Sequence, residues 1–120
     1  MERVEFIEHK GKKIVILNFT DLVPEDLAVV VEKAEKEIRV HPPKSLCTLT
    51  KVDGARFNNE VISILKEFAK GNEPYVEKGA IVGLEGLQRL VLTAVSKFTG
   101  RDFAVCKTVN EAKERLAGSA

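Results

Sequence analysis

Polar side chains that could bind or position a ligand are concentrated between positions 50 and 59. They supply a hydroxyl, a carboxylate, a guanidinium and two amides, at Thr50, Asp53, Arg56, Asn58 and Asn59. A cation with amide groups beside it suits recognition of an acidic headgroup. The same residues have a simpler interpretation, since Asp53-Gly54 is a common turn pair and Asn58 or Asn59 can cap a helix. Both interpretations remain open at this point.

A second candidate is the turn Gly83-Leu84-Glu85-Gly86, which comes directly before an apolar helical pattern. Backbone N–H groups at the start of a helix can hold a phosphate. However, the turn lacks a full GxGxxG pattern and a P-loop lysine, and Glu85 would place a negative charge beside the anion. It is also similar to the GXXG loop of KH nucleic-acid domains, but that loop joins two helices. We favour a tight turn.

The residue types that most often carry catalysis or bind metals are isolated in this chain. His9 and His41 have no second ligand at metal spacing, and neither Cys47 nor Cys106 has a histidine near it in the sequence. Because both cysteines lie within apolar runs, we expect buried free thiols, with a disulfide or a reactive cysteine as the alternative. We therefore expect no catalytic residues, no metal site, no cofactor and no enzymatic activity.

Length and charge limit the classes of partner. The 120 residues can bury one core, and 19 Lys and Arg against 18 Asp and Glu leave a net charge of +1. With so little net charge, we expect no nucleic-acid partner. No apolar run approaches the roughly 20 residues that span a bilayer, and the N-terminal residues do not resemble a signal peptide. We expect a cytoplasmic protein whose membrane contact is peripheral at most.

The spacing of apolar residues predicts an α/β fold with a mixed sheet of five strands and four helices, in the order ββαβαβαβα. Two β-branched runs flank Gly11 and predict a hairpin whose first strand lies at the sheet edge. The apolar run at residues 80–82 predicts an interior strand. The helix after it should cover the sheet with Leu87, Leu90, Val91, Ala94, Val95 and Phe98. The other predicted strands lie at residues 4–8, 14–17, 45–49 and 103–106, and the other helices begin at Pro24, at Asn58 or Asn59, and at Thr108.

Ligands of open α/β sheets gather beyond the carboxyl ends of the parallel strands. The loops at residues 18–21, 50–59 and 83–86 should therefore converge there. Within them, we expect Arg56 and the amides to orient a ligand while Phe57 and Leu84 bury its apolar part. The predicted ligand- or partner-binding residues are Thr50, Asp53, Arg56, Phe57, Asn58, Asn59, Gly83, Leu84 and Gly86.

Several segments together resemble a known family. They are residues 49–57 (LTKVDGARF), 72–83 (NEPYVEKGAIVG) and 110–112 (NEA) ahead of Leu116. In these segments and in the order of its elements, the chain resembles the SpoIIAA-like group of STAS domains. The resemblance implies one domain over residues 1–120 with the STAS and CRAL-TRIO-like fold. It also implies a non-enzymatic signalling or carrier role.

Two functions follow from the resemblance. The first is binding of a small apolar or amphipathic, lipid-like molecule, extending to association with a membrane surface. The alternative is a protein-interaction regulator of the anti-sigma-factor-antagonist type. Regulators of that type carry a phosphorylatable Ser or Thr where this chain has Phe57, Asn58 and Asn59, and the nearest hydroxyl downstream is Ser63. An enzyme is the third class, and homodimer formation is left open.

A structure can separate the first two functions. A pocket lined by Phe, Leu and Val between the sheet and a movable helix would favour ligand binding. An exposed, continuous apolar patch around Phe57 and Leu84 would favour a protein partner.

Overall fold

The computed structural model of the protein describes residues 2–118. Within these residues, the predicted order ββαβαβαβα is confirmed. The strands are β1 (Val4–His9), β2 (Lys12–Asn18), β3 (Leu46–Lys51), β4 (Val76–Val82) and β5 (Ala104–Cys106). The helices are α1 (Pro24–Ile38), α2 (Asn59–Asn72), α3 (Leu87–Thr99) and α4 (Val109–Leu116).

The five strands form one mixed sheet in the order β1-β2-β3-β4-β5. β1 is antiparallel to β2 at one edge, as the hairpin signal predicts, and the other neighbouring pairs are parallel. The hairpin turn consists of Lys10 and Gly11, both with positive φ, of 51° and 82°. Two such residues match the twist of the flanking strands. The predicted interior position of residues 80–82 is also confirmed, because β4 lies between β3 and β5.

The strand order never reverses, and this decides where the helices lie. Each parallel crossover moves one strand in the same direction, and the right-handed rule then places α1, α2 and α3 on the same face of the sheet. α2 packs against both α1 and α3. α4 packs against β3, β4 and β5 on the opposite face.

Each face of the sheet has its own core. Alternation along the strands sends Val15 and Leu17 toward the three helices, and Ile14, Cys47 and Leu49 toward α4. Both cysteines are buried and free, which confirms the expected thiols. α4 begins with a capping interaction in which the Thr108 side chain accepts a hydrogen bond from Glu111 N at 3.1 Å.

α3 packs less completely than its sequence predicts. Leu87, Leu90 and Phe98 are 78%, 66% and 42% exposed, so the prediction that they cover the sheet is wrong. Val95 is the buried residue of this helix. The face that points inward carries Gln88, Val91, Leu92 and Val95, so it keeps Val91 and Val95 of the predicted stripe and is rotated toward Gln88 and Leu92. α1, by contrast, buries Leu27, Val31, Ala34 and Ile38 almost completely.

Candidate ligand-binding cavity

The loops that leave the carboxyl ends of β2, β3 and β4 converge, as predicted, and are joined by backbone hydrogen bonds. Asp21 N donates to Asp53 O at 2.8 Å, Arg56 N to Leu22 O at 2.9 Å, and Val52 N to Val82 O at 2.9 Å. These bonds use the groups that the strand ends would otherwise leave unpaired. The carboxyl edge of the sheet is therefore closed by the protein's own backbone.

Several of the predicted site residues have structural roles at this edge. The Asn58 side chain caps α2 by accepting from Val61 N at 2.8 Å. The Asp53 carboxylate packs against Gly83, whose φ of 91° and crowded surroundings leave no room for a side chain. Arg56 and Asn59 are exposed, and Gly86 immediately precedes α3. None of these six residues lines the cavity described next.

The cavity lies between the sheet and the pair of helices α2 and α3. Its volume is about 90 Å³. Because one water needs only about 10–15 Å³, the cavity has room for more than a single water molecule. Its wall is mostly apolar and consists of Leu17, Phe19, Thr48, Thr50, Val52, Phe57, Leu65, Phe68, Ala69, Asn72, Ile81, Leu84, Gln88, Val91, Leu92, Val95, Arg101 and Phe103.

Three of the predicted site residues, Thr50, Phe57 and Leu84, belong to this wall. They lie toward the carboxyl end of the strands. The cavity extends to the other end, where Asn72 closes α2 and Arg101 precedes β5. The strand order explains why the cavity is not confined to the predicted site at the carboxyl ends of the strands. A doubly wound sheet has a crevice where its order reverses, whereas this order never reverses, so the open space lies between layers.

Polar groups interrupt the apolar wall at a few places. Gln88 is fully engaged, since its Nε2 donates to Val52 O and Ala55 O, both at 2.9 Å, and its Oε1 accepts from Glu85 N at 3.0 Å. Thr48 and Thr50 are different, because no other described residue hydrogen-bonds their hydroxyls. The Asn72 side chain is 2% exposed and accepts a long hydrogen bond of 3.4 Å from Arg39 Nε.

Arg101 is the one cationic side chain of the wall. Its Nη1 donates to Ala69 O at 2.8 Å, and its guanidinium carbon lies 4.9 Å from the centre of the Phe103 ring. Burial lowers the pKa of Arg101, and the charge of Glu73 opposes that shift. An arginine remains cationic even so. The cavity therefore combines a long apolar wall with one positive charge.

Sequence reasoning missed Thr48, Gln88 and Arg101. A signal for Thr48 exists, because alternation along residues 46–51 places Thr48 and Thr50 together on the face opposite Cys47 and Leu49. Gln88 falls on the same helical face as Leu92 and Val95, which also indicates an inward position. Nothing local marks Arg101, since its surroundings come from α2 and from Phe103.

Within residues 2–118, no cluster of three or more His, Cys, Asp or Glu side chains could hold a metal ion. Nor is any helix in that range long and apolar enough to cross a bilayer. No family model matches the chain, and no match is found among curated proteins.

Proposed function

We propose that this protein is a non-enzymatic binding domain for a small apolar or amphipathic molecule. The observation that carries the proposal is the apolar cavity between the sheet and the pair α2 and α3. Ligand sites in proteins are concave and mostly apolar, with a few polar groups that fix orientation. This wall has that composition. The resemblance of the sequence to SpoIIAA-like STAS domains is compatible with this function, as it is with the regulatory alternative.

Movement of α3 would widen access to the cavity. Val95 is the buried residue of that helix, so little apolar burial holds α3 in place. Elements with few buried contacts open at low free energy. A ligand larger than the resting cavity could therefore be admitted by displacing α3 while the sheet stays intact.

The outer surface of α3 supports delivery from a membrane surface as an extension of this function. Leu87, Leu90 and Phe98 are exposed, and the amines of Lys66 and Lys70 lie 5.8 Å and 5.1 Å from the centre of the Phe98 ring. Exposed apolar side chains bordered by lysines suit shallow contact with anionic lipid headgroups.

The regulatory alternative has weaker support. It would use an exposed apolar patch around Phe57 and Leu84, but Leu84 is only 8% exposed and both residues belong to the cavity wall. The polar surface beside them, with Asn58 and Asn59, offers no hydroxyl for phosphorylation.

A cavity-filling substitution tests ligand binding. Ala69 is a half-buried alanine in the cavity wall, and Ala28 is a half-buried alanine on α1 outside it. We expect 1-octanol to bind the wild type, and Ala69→Phe to lower its affinity by at least about tenfold because the ring occupies the cavity. Isothermal titration calorimetry measures the affinities, and thermal unfolding checks that each variant folds.

Ala28→Phe is the matched control and should bind 1-octanol within about threefold of the wild type. If 1-octanol fails to bind the wild type, the proposed function is wrong. Equal losses in the two folded variants would place the ligand outside this cavity.

A further inference from the structure

Arg101 is held at the cavity rather than in open solvent. It follows Gly100, which ends α3 in the left-handed conformation with φ of 71°. The bond from Nη1 to Ala69 O ties its guanidinium to α2, and the guanidinium carbon lies over the ring of Phe103, the residue before β5. Its own backbone N donates to Thr99 Oγ1 at 3.1 Å. The position of the charge is therefore fixed before any ligand arrives.

This fixed cation has no carboxylate partner among residues 2–118. Glu73 is the acid whose charge acts on it, but the Glu73 carboxylate already pairs with Lys44 at 3.1 Å. Since Nη1 is used by Ala69 O, the Nε and Nη2 atoms remain as a pair of donors along one edge of the guanidinium. That edge matches the two oxygens of a carboxylate.

The surroundings of Arg101 contain further groups able to bind oxygen atoms. A Cβ atom at Gly79 would lie 2.8 Å from Phe103 Cδ1 and 3.0 Å from Thr48 Oγ1, so this ring and this hydroxyl meet above Gly79. The Thr48 hydroxyl therefore lies beside the ring on which Arg101 is stacked. Asn72, from the last turn of α2, lines the same end. Both side chains can donate a hydrogen bond.

The opposite end of the cavity is apolar. Phe57, Leu84 and Val52 line it. Its polar side chains are uncharged: Gln88 has its hydrogen bonds satisfied by backbone groups, and Thr50 adds a single hydroxyl. A ligand that fits both ends has one negative charge and an extended hydrocarbon part. Such a ligand is complementary to Arg101 in charge and to the opposite end of the cavity in polarity.

We infer that the cavity takes a monocarboxylic acid with an unbranched apolar tail, with the carboxylate on the Nε–Nη2 edge of Arg101 and the tail directed toward Phe57 and Leu84. This inference rests on the proposed function and specifies its ligand class. A single negative charge is expected because Arg101 is the one cation of the wall. The headgroup then lies at the amino ends of the strands, away from Arg56.

The test compares octanoate with 1-octanol, which has the same chain length but no charge, and with octyl phosphate. We expect the wild type to bind octanoate at least about tenfold more tightly than 1-octanol or octyl phosphate. Arg101→Gln should lower octanoate affinity by at least about tenfold while 1-octanol affinity stays within about threefold. Retained 1-octanol binding also establishes that the cavity of the variant is intact.

Arg115→Gln is the matched control, because Arg115 is exposed on α4 and lies on the other side of the sheet. It should leave both affinities unchanged. Octanoate should also shift the backbone NMR signals of Thr48 and Phe103 in the wild type.

Each alternative result overturns a different statement. Equal binding of octanoate and 1-octanol by the wild type contradicts the carboxylate inference and leaves the proposed function standing. Tighter binding of octyl phosphate replaces the carboxylate with a phosphate. Should neither octanoate nor 1-octanol bind, the proposed function fails as well. Those comparisons need no variant, so they hold even if Arg101→Gln does not fold.

Discussion

Gly79 lies in the middle of β4, directly beneath the polar end of the cavity. Its missing side chain leaves the space that the Phe103 ring and the Thr48 hydroxyl occupy. Glycine in a strand interior often marks such a close approach. The residue thus places the ring that supports Arg101, although it has no functional group of its own.

Gly79→Ala should therefore destabilise the fold by about 1–3 kcal/mol, because the new methyl group forces Phe103 out of its position. Chemical denaturation measures the free energy of unfolding. Gly71→Ala is the matched control: its methyl group would meet the flexible end of the Arg39 side chain, and alanine favours the helix. We expect its effect to be below about 1 kcal/mol. Equal losses at the two positions would contradict this account.

The role of a residue could be predicted where its partners are close in sequence, and could not where they come from distant elements. Asn58 was predictable as a helix cap because the cap, the acidic first turn and the apolar pattern all lie within a few positions. Arg101 was not, because its partners Ala69 and Phe103 come from separate elements. Arg56 was predicted to bind a ligand because polar residues surround it in the sequence, and its role in binding stays a prediction.

Helices α1 and α3 differ in how much of their apolar surface is buried against the rest of the protein. Both patterns are amphipathic, but α1 places four nearly inaccessible residues against the sheet whereas α3 places one. The sequence of α3 could not reveal its orientation, since apolar residues occur on both its inner and its outer faces. Either the outer leucines or the inner valines could have packed against the sheet, and the packing of α3 against α2 determines which set faces inward.

This difference predicts unequal hydrogen exchange. Amides of α3 should exchange at least about tenfold faster than those of α1, because opening α3 exposes less buried surface. Mass spectrometry of peptides from each helix measures the rates. Octanoate should slow the exchange of α3 while leaving α1 unchanged, since a ligand beneath α3 stabilises its closed position. Equal protection of the two helices would remove the argument that α3 admits the ligand.

The strands and their order along the chain followed from the sequence because each is a separate apolar run. The location of the cavity could not be predicted from the sequence, because it depends on the directions of all the crossovers taken together. The mixed pattern of residues 4–8 predicted an edge strand, and the apolar run at residues 80–82 predicted an interior strand. The cavity forms where α2 and α3 pack over the sheet.

Long-range ion pairs connect the last helix to the first hairpin. The Glu114 carboxylate accepts hydrogen bonds from His9 Nε2 at 2.8 Å and from Lys10 Nζ. The bond from Lys10, followed by that from His9, lowers the pKa of Glu114 below its ordinary value of 4.5. A carboxyl group whose pKa is lowered by folding stabilises the fold above its unfolded pKa, and this stabilisation is lost as the pH falls through the folded pKa.

Glu114→Gln should therefore lower the melting temperature at pH 7, and the gap from the wild type should close as the pH falls below the ordinary value of 4.5 and through the lowered pKa. Glu67→Gln is the control, since Glu67 is exposed on α2 and has no ion pair within the described residues. Its melting temperature should follow that of the wild type across this range. Calorimetry over the pH series would contradict the pairing if the Glu114→Gln gap stayed constant.

The position of α4 in the chain has a consequence for how the protein is made. This helix covers the sheet face that carries Ile14, Cys47 and Leu49, yet its residues are translated after all five strands. The other face can be covered by α1, α2 and α3 as synthesis proceeds. A nascent chain that has reached β5 therefore exposes one apolar sheet face to solvent or to chaperones until α4 emerges from the ribosome and docks.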